Sequence, residues 1–339
     1  MDESRVKRSH LNLAFIIMGC SAMMSQAVLL RELLLFFTGN ELTLGLMLAV
    51  WLIWTAIGSG CGSRWIHQVR RPVNAFIGCQ LLLMVLLPAT IVFIRLSRSI
   101  FSISVGEIAS PRFIVGIPLF GLLPIGIIIG FLYTLSCQIL ASRDSQISAV
   151  PGRVYLLEAI GSGLAGFVAS VVLFRWLNNF QVAMVICLLN LLIAAMIWFV
   201  AADRHRILGL VGVLAMAVGW CIFCQRTDSW SQQISWGEFQ LRHSQASIYG
   251  QISVVQLGES ISFYENGALM FTHPDVMSAE EAVHFAMLEH PMPERVLLIG
   301  GNVAGNLPQI LQHPSVKQVD FVLLDPTTIR LATRVLPEM

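Results

Sequence analysis

The chain has 339 residues, 56% of them hydrophobic and only 12% charged, with a formal net charge of +1. A soluble domain carries about 25% charged residues, so the composition excludes an ordinary soluble globule. A net charge near zero also excludes the basic footprint of a nucleic-acid binder. The hydrophobic residues come in blocks, which points to a multi-pass membrane protein.

In chain order, Arg5, Lys7 and Arg8 precede the first apolar block. No small-residue cleavage site follows, so that block reads as a permanent span and not as a signal peptide. Seven spans are expected, at 11–30, 42–63, 73–95, 113–141, 154–174, 180–202 and 207–224. Each is near the ~20 residues that a bilayer requires. The fourth carries Pro118 and Pro124, so a tilt or kink is expected there. Trp51, Trp54, Trp65, Trp176, Trp198 and Trp220 mark span ends as interfacial aromatics do. Lys and Arg in the short loops favour an N-terminus on the cytoplasmic side of the cell (inner) membrane: Arg64, Arg70, Arg71, Arg143, Arg153, Arg204 and Arg206 share its side. The seven cysteines all lie in apolar segments and read as small core residues; Cys221 and Cys224 form a CxxC without acidic or histidine neighbours, and no metal is expected.

Three ionisable residues interrupt the apolar blocks: Arg31 and Glu32 in 27-AVLLRELLLFF-37, and Glu158 in 153-RVYLLEAIGSGLAG-166. Such groups cost about 2.5–3.5 kcal/mol on insertion scales, so they face protein or water. They read either as a polar relay or substrate path, or as structural groups. In the second case Arg31 and Glu32 sit at the interface and Glu158 pairs with an arginine. Gly161, Ser162, Gly163, Ala165, Gly166, Ala169 and Ser170 give the fifth span a small-residue face for close helix packing.

Past residue 225 the composition turns polar, and 226–246 reads as a juxtamembrane linker. Strands are expected at 251–256, 260–264 and 268–271, with Asn266-Gly267 as a hairpin turn between the last two. A helix over 278–290 is expected to start on Ser278, with Glu281 completing a capping box. Then come a strand at 296–299, a short helix at 307–312, a strand at 319–324 and a helix over 327–336. That order fits the first half of a doubly wound Rossmann-like fold. The expected organisation is a helical membrane bundle over 1–225, the linker, a small antiparallel sheet plus helix over 247–290, and an incomplete Rossmann-like half-domain over 291–339. A two-stranded parallel sheet cannot bury both faces, so the chain reads as a C-terminally truncated form, with 295–339 poorly packed by itself.

The stretch 295-RVLLIGGNVAGNLPQIL-311 brings an apolar strand into a glycine loop. Gly300, Gly301 and Gly305 permit positive φ and close ligand approach, and Asn302 tolerates left-handed backbone. Amides at the following helix start can bind a polar ligand. Asp325 follows about twenty residues on, where an acid grips ribose hydroxyls. The same glycines also serve to pack a helix on a strand, and that reading stays open.

The soluble part resembles the spermidine synthase family along an ordered string. The segments 247-SIYGQISVVQ-256, 264-YENGALMFT-272, 286-AMLEHPMPERVLLIGG-301, 312-QHPSVKQVDFVLLDP-326 and 334-RVLPEM-339 carry it. The segments 31-RELLLFFTGNELTLGLMLAVWLIWTAIGS-59 and 152-GRVYLLEAIGSGLAG-166 resemble the membrane module of multi-span, membrane-fused members. The resemblance implies aminopropyl transfer from decarboxylated S-adenosylmethionine, or use of a related adenosyl compound, in polyamine metabolism. It places the cofactor on Gly300, Gly301, Asn302, Gly305 and Asp325, and substrate on Tyr249, Gln251 and His284. No catalytic base is assigned. The family's "GGGDGG" reads Gly-Gly-Asn-Val-Ala-Gly here, with Val303 in place of its aspartate; Leu323 replaces its ribose-gripping glutamate and Met270 its glutamine. The alternatives are a transporter or sensor whose Rossmann part binds a nucleoside or polyamine without catalysis, or a structural subunit. Expected partners are the lipid bilayer, a polyamine or nucleoside ligand and a second copy of the chain. With the N-terminus inside, seven spans put the C-terminal part outside, away from cytosolic adenosyl compounds. Either the span count differs by one or that part uses no such compound.

Overall fold

The computed structural model describes residues 6–37, 41–106, 109–144, 146–201, 206–247 and 249–336. Arg5, Arg204 and the closing 337–339 lie outside the described residues. The chain divides into two compact units, Met1–Ile103 with Ile108–Ser235, and Ser104–Glu107 with Trp236–Met339.

The first unit is helical. Its long helices are α1 (Arg8–Phe36), α2 (Glu41–Trp65), α3 (Pro72–Ile100), α4 (Pro111–Ala141), α5 (Val150–Val168), α7 (Asn179–Ala201) and α8 (Arg206–Ser235). A π-helical stretch, Ala169–Leu173, and the single turn α6 (Phe174–Trp176) continue α5. Among the described residues, six helices are long and apolar enough to cross a membrane. The seventh, α8, is apolar as far as Cys224 and then runs on, polar, to Ser235.

Glycines decide which helices lie backbone to backbone. A Cβ on Gly19 of α1 would run into the Glu158 carbonyl of α5, and one on Gly161 into the Ile16 carbonyl. Cys20 Sγ donates to Gly161 O at 3.2 Å and Ser162 Oγ to Gly19 O at 3.1 Å. On the α2–α4 seam, Gly58 faces the Ile127 carbonyl and Gly130 the Thr55 carbonyl in the same way. The expected small-residue face of α5 therefore packs through Gly161, Ser162 and Gly166, whereas Gly163 meets nothing within 4 Å. These two pairs make the most extensive contacts in the unit.

A buried polar network joins three further points. Arg95 of α3 meets Glu32 of α1 at 2.6 Å and Asp228 of α8 at 2.7 Å. Ser231 Oγ accepts from Arg95 at 2.9 Å, and Asp228 also accepts from Gln232 (2.8 Å) and Asn178 (3.2 Å). Arg31 lies over the Phe174 ring, 4.3 Å from its centroid. Glu32 is thus a structural ion-pair member. Glu158 is not: among the described residues it makes no ion pair, contrary to the expectation of an arginine partner.

The second unit opens on an antiparallel meander, β1 (Gln240–Ala246), β2 (Gln251–Leu257), β3 (Ser260–Glu265) and β4 (Ala268–His273), in that order across the sheet. Asn266 and Gly267 both have positive φ (50° and 82°), as a two-residue hairpin turn of this hand requires. Residues 226–246 are not a linker: α8 continues to Ser235 and β1 pairs with β2 from Gln240. The helix α9 (Val276–Leu288) starts earlier than expected. Its cap is Asp275, whose carboxylate accepts from Ser278 N at 3.1 Å, and not Ser278. Then β5 (Arg295–Ile299), α10 (Asn306–Leu311), β6 (Gln318–Val322) and α11 (Pro326–Val335) follow, with β5 and β6 parallel and in register from Arg295–Gln318 to Ile299–Val322.

One apolar cluster gathers Ile252, Val254, Phe263 and Phe271 of the meander with Val303, Leu331 and Leu336. Another packs Val283, Met287 and Ile310 on Val296, Leu298 and Val319, the inner face of the parallel pair. The opposite face of that pair leaves Leu297, Ile299 and Val322 exposed.

Candidate functional site

The loop between β5 and α10 turns on Gly300 and Gly301, with φ of 69° and 82°. Both lie in the left-handed region that glycine enters without a Cβ clash. Gly300 N donates to Val322 O at 2.9 Å, which brings the loop beside the end of β6. A Cβ on Gly301 would stand 2.8 Å from Asn306 Nδ2, and one on Gly305 2.6 Å from Asn302 Nδ2.

Asn302 acts through its side chain. Among the described non-glycine residues only Ser102 and Asn266 have positive φ, so Asn302 does not adopt the expected left-handed backbone. Its Oδ1 accepts from Ala304 N and Gly305 N, each at 3.0 Å, and its Nδ2 donates to Thr272 O at 3.3 Å. Two loop amides that could have faced a ligand are thereby satisfied internally. Val303 is buried in the meander's apolar cluster, so the side chain in the aspartate's place points into the core.

Asp325 caps α11, its Oδ1 accepting from Thr327 N at 2.8 Å. The residue is 5% exposed, yet Oδ2 has no hydrogen-bond partner. Thr328 Oγ1, one turn along α11, and Gln309 Oε1 on α10 are also buried without partners. Buried polar atoms are nearly always paired in native proteins, so Asp325 Oδ2 has capacity for one more donor, from water or a ligand. Glu265 at the end of β3 adds a second carboxylate. Burial pushes its pKa up, and the Asp325 charge pushes it further the same way. Two carboxylates that repel each other favour a ligand presenting O–H or N–H donors.

The other expected site residues fall unequally around this group. Gln251 starts β2 beside the Asn266 turn: its backbone N donates to Asn266 Oδ1 at 3.0 Å, and its side chain is turned to Ser244, Nε2 donating to Oγ at 2.6 Å. Tyr249 is exposed on the β1–β2 turn, its amide bonded to Ser247 Oγ at 3.1 Å. His284 lies on α9 and meets His313 ring to ring, Nδ1 to Nε2 at 2.9 Å. Glu265, Gln309 and Thr328 are not among the residues that the sequence singles out. Glu265 could have been flagged as an acid directly before the Asn-Gly turn; nothing in the sequence marks the other two. No group of three or more His, Cys, Asp or Glu able to hold a metal occurs among the described residues.

Residues 276–339 match the spermine/spermidine synthase domain. The polyamine aminopropyltransferase of Oceanobacillus iheyensis is 31% identical over 230 residues, which are 64% of this chain and 44% of that protein. The polyamine aminopropyltransferase of Leptospira interrogans is 27% identical over 222 residues, 63% of this chain and 44% of that protein. Both stretches are longer than the whole of 236–339, so the likeness takes in part of the helices. A crystal structure of spermidine synthase in complex with the transition-state analogue AdoDATO is 30% identical, over 29% of this chain and 34% of that one, with a TM-score of 0.28. The C-terminal part of the chain is therefore spermidine synthase-like. The chain spans somewhat under half the length of these two curated relatives.

Proposed function

We propose that this is a membrane-anchored, spermidine synthase-like protein of polyamine metabolism that binds an adenosyl compound, decarboxylated S-adenosylmethionine or a relative of it, beside Asp325. The observation that carries the reading is the buried Asp325 carboxylate with an unpartnered Oδ2, three residues beyond the Val322 carbonyl that accepts from Gly300 of the glycine turn. Ribose hydroxyls are the donors that such an acid takes in a doubly wound fold. The repelling Glu265 carboxylate supports it further, since a ligand that donates to either acid, or carries positive charge, relieves that repulsion.

Aminopropyl transfer is an in-line attack by an amine nitrogen on the carbon next to a sulfonium. The new C–N bond forms as the C–S bond breaks, a thioether leaves with the electron pair, and the amine proton passes to a base. Positioning is the main demand of such a step. The residues here serve the adenosyl half: Gly300 and Gly301 let it approach, and Asp325 orients it. The loop is a degenerate version of the family pattern, with Asn302 closing two of its amides and Val303 turned inward.

Membrane anchoring rests on the helical unit. Most of the apolar length of the helix Ile147–Trp176 is left uncovered by the rest of the protein. Phe120 and Phe167 are 66% and 68% exposed. Apolar side chains uncovered over several whole helices suit a lipid surface and not water. We place the protein as a multi-pass component of the cell membrane.

The test is calorimetry on the full chain in lipid nanodiscs, with methylthioadenosine and decarboxylated S-adenosylmethionine as probes. Saturable binding is expected. Asp325→Asn, which keeps the cap oxygen and removes the charge, should weaken it about tenfold or more, as charge-assisted bonds do. No binding of either probe to the unaltered chain overturns the reading.

A further inference from the structure

The helical unit contains an open cleft of about 560 Å³, lined by α1, α2, α4 and α5. Gln26, Trp51, Thr55, Tyr133, Tyr155 and Glu158 are among its described lining residues, none of which is Lys, Arg or His. Glu158 is thus a carboxylate in a mostly apolar cleft with no cation among the described lining residues. It stands about halfway along α5, eight residues or ~12 Å from the helix start. The contrast with Glu32 is direct, since that residue has Arg95 at 2.6 Å.

We infer that this cleft is a binding site for an organic ammonium ion, an alkylamine or diamine, held by Glu158 and walled by Trp51, Tyr133 and Tyr155. Three features select that class. A carboxylate in an apolar cleft is stabilised by a positive partner, and the described lining residues supply none. Aromatic faces attract ammonium groups, and three aromatic residues line the space. The volume suits a small organic molecule; a bare metal ion would leave most of it empty and would find one carboxylate where it needs several oxygens. The hydroxyls of Thr55 and Ser59 and the amide of Gln26 provide acceptors for a second ammonium end. The anchor is also rigid. Glu158 O sits where the Gly19 backbone passes, so the helix carrying the carboxylate cannot move toward α1. The site is separate from the adenosyl site proposed above and gives the helices a ligand of their own.

The experiment measures binding of 1,4-diaminobutane to the full chain in nanodiscs by calorimetry, with neutral 1,4-butanediol as control. Saturable diamine binding without diol binding is expected. Glu158→Gln should weaken it at least about tenfold, because removing one partner of a desolvated charge pair speeds release. Tyr155→Leu, away from the glycine seam, should also weaken it and leave the helices assembled. Asp325→Asn should leave diamine affinity unchanged. Equal binding of the diol, no saturable diamine binding, or affinity lost with Asp325→Asn but kept with both Glu158→Gln and Tyr155→Leu each overturns the inference. Failure of adenosyl binding in the previous test leaves it standing.

Discussion

The network around Arg95 and the group around Asp325 are both buried and both acidic, yet they are finished differently. Arg95 brings one guanidinium to two carboxylates, and Ser231, Gln232 and Asn178 take up further bonding capacity. Asp325 has one oxygen on a backbone amide and no partner for the other, and Thr328 Oγ1, on the same helix, is buried without a partner as well. A polar centre that the chain satisfies itself is a strut. One that the chain leaves open is an invitation, and the physical difference is the desolvation cost that a ligand would remove.

The largest effect should come from breaking the strut. Arg95→Met leaves Glu32 and Asp228 buried without a cation and should cost about 3–5 kcal/mol of stability. Thermal unfolding of the full chain would read it, and adding Glu32→Gln and Asp228→Asn to the same protein should recover most of the loss. Next comes the loop. Val303→Asp restores the family's residue by name but places a charge in the cluster of Ile252, Phe263 and Leu331. We expect a loss of about 3 kcal/mol or more and no gain in adenosyl binding; a tighter-binding variant of normal stability would show that the loop can turn Val303 outward. The smallest effect is the pH response of Glu265. Its carboxyl is raised from an ordinary value of 4.5, by burial first and Asp325 second. A raised carboxyl contributes stability that is full below the unfolded value and fades as pH climbs through the folded one. Glu265→Gln should therefore raise the melting temperature modestly at pH 8 and leave it unchanged at pH 4.

Local chemistry told most of the fold in advance. The Asn266-Gly267 turn, the β5 strand with its glycines, and the apolar helix blocks are all short-range patterns, and they appear in place. What stayed hidden depends on partners far along the chain. β1, 240-QLRHSQA-246, is polar and mostly exposed, and becomes a strand only because β2 pairs with it. α8 outlasts its apolar stretch because Asp228 and Ser231, on its polar continuation, are held by Arg95. Nothing in sequence spacing joins Arg95 to a residue 133 positions away. Asp275 and Ser278 both fit a helix start, and the carboxylate three residues upstream took the cap. Asp325 was visible as an acid after a strand; that one of its oxygens is orphaned required three dimensions.

The glycine seams carry a mechanical consequence. With backbone pressed on backbone, α1 and α5 cannot slide past each other, and neither can α2 and α4; each couple behaves as a stiff plate. The plates touch one another far less than the helices within them do, and the Glu158 cleft lies where they meet. Any change in the width of that cleft must then come as rocking of one plate against the other, with the two glycine contacts travelling as fixed hinges' opposite: the parts that do not give.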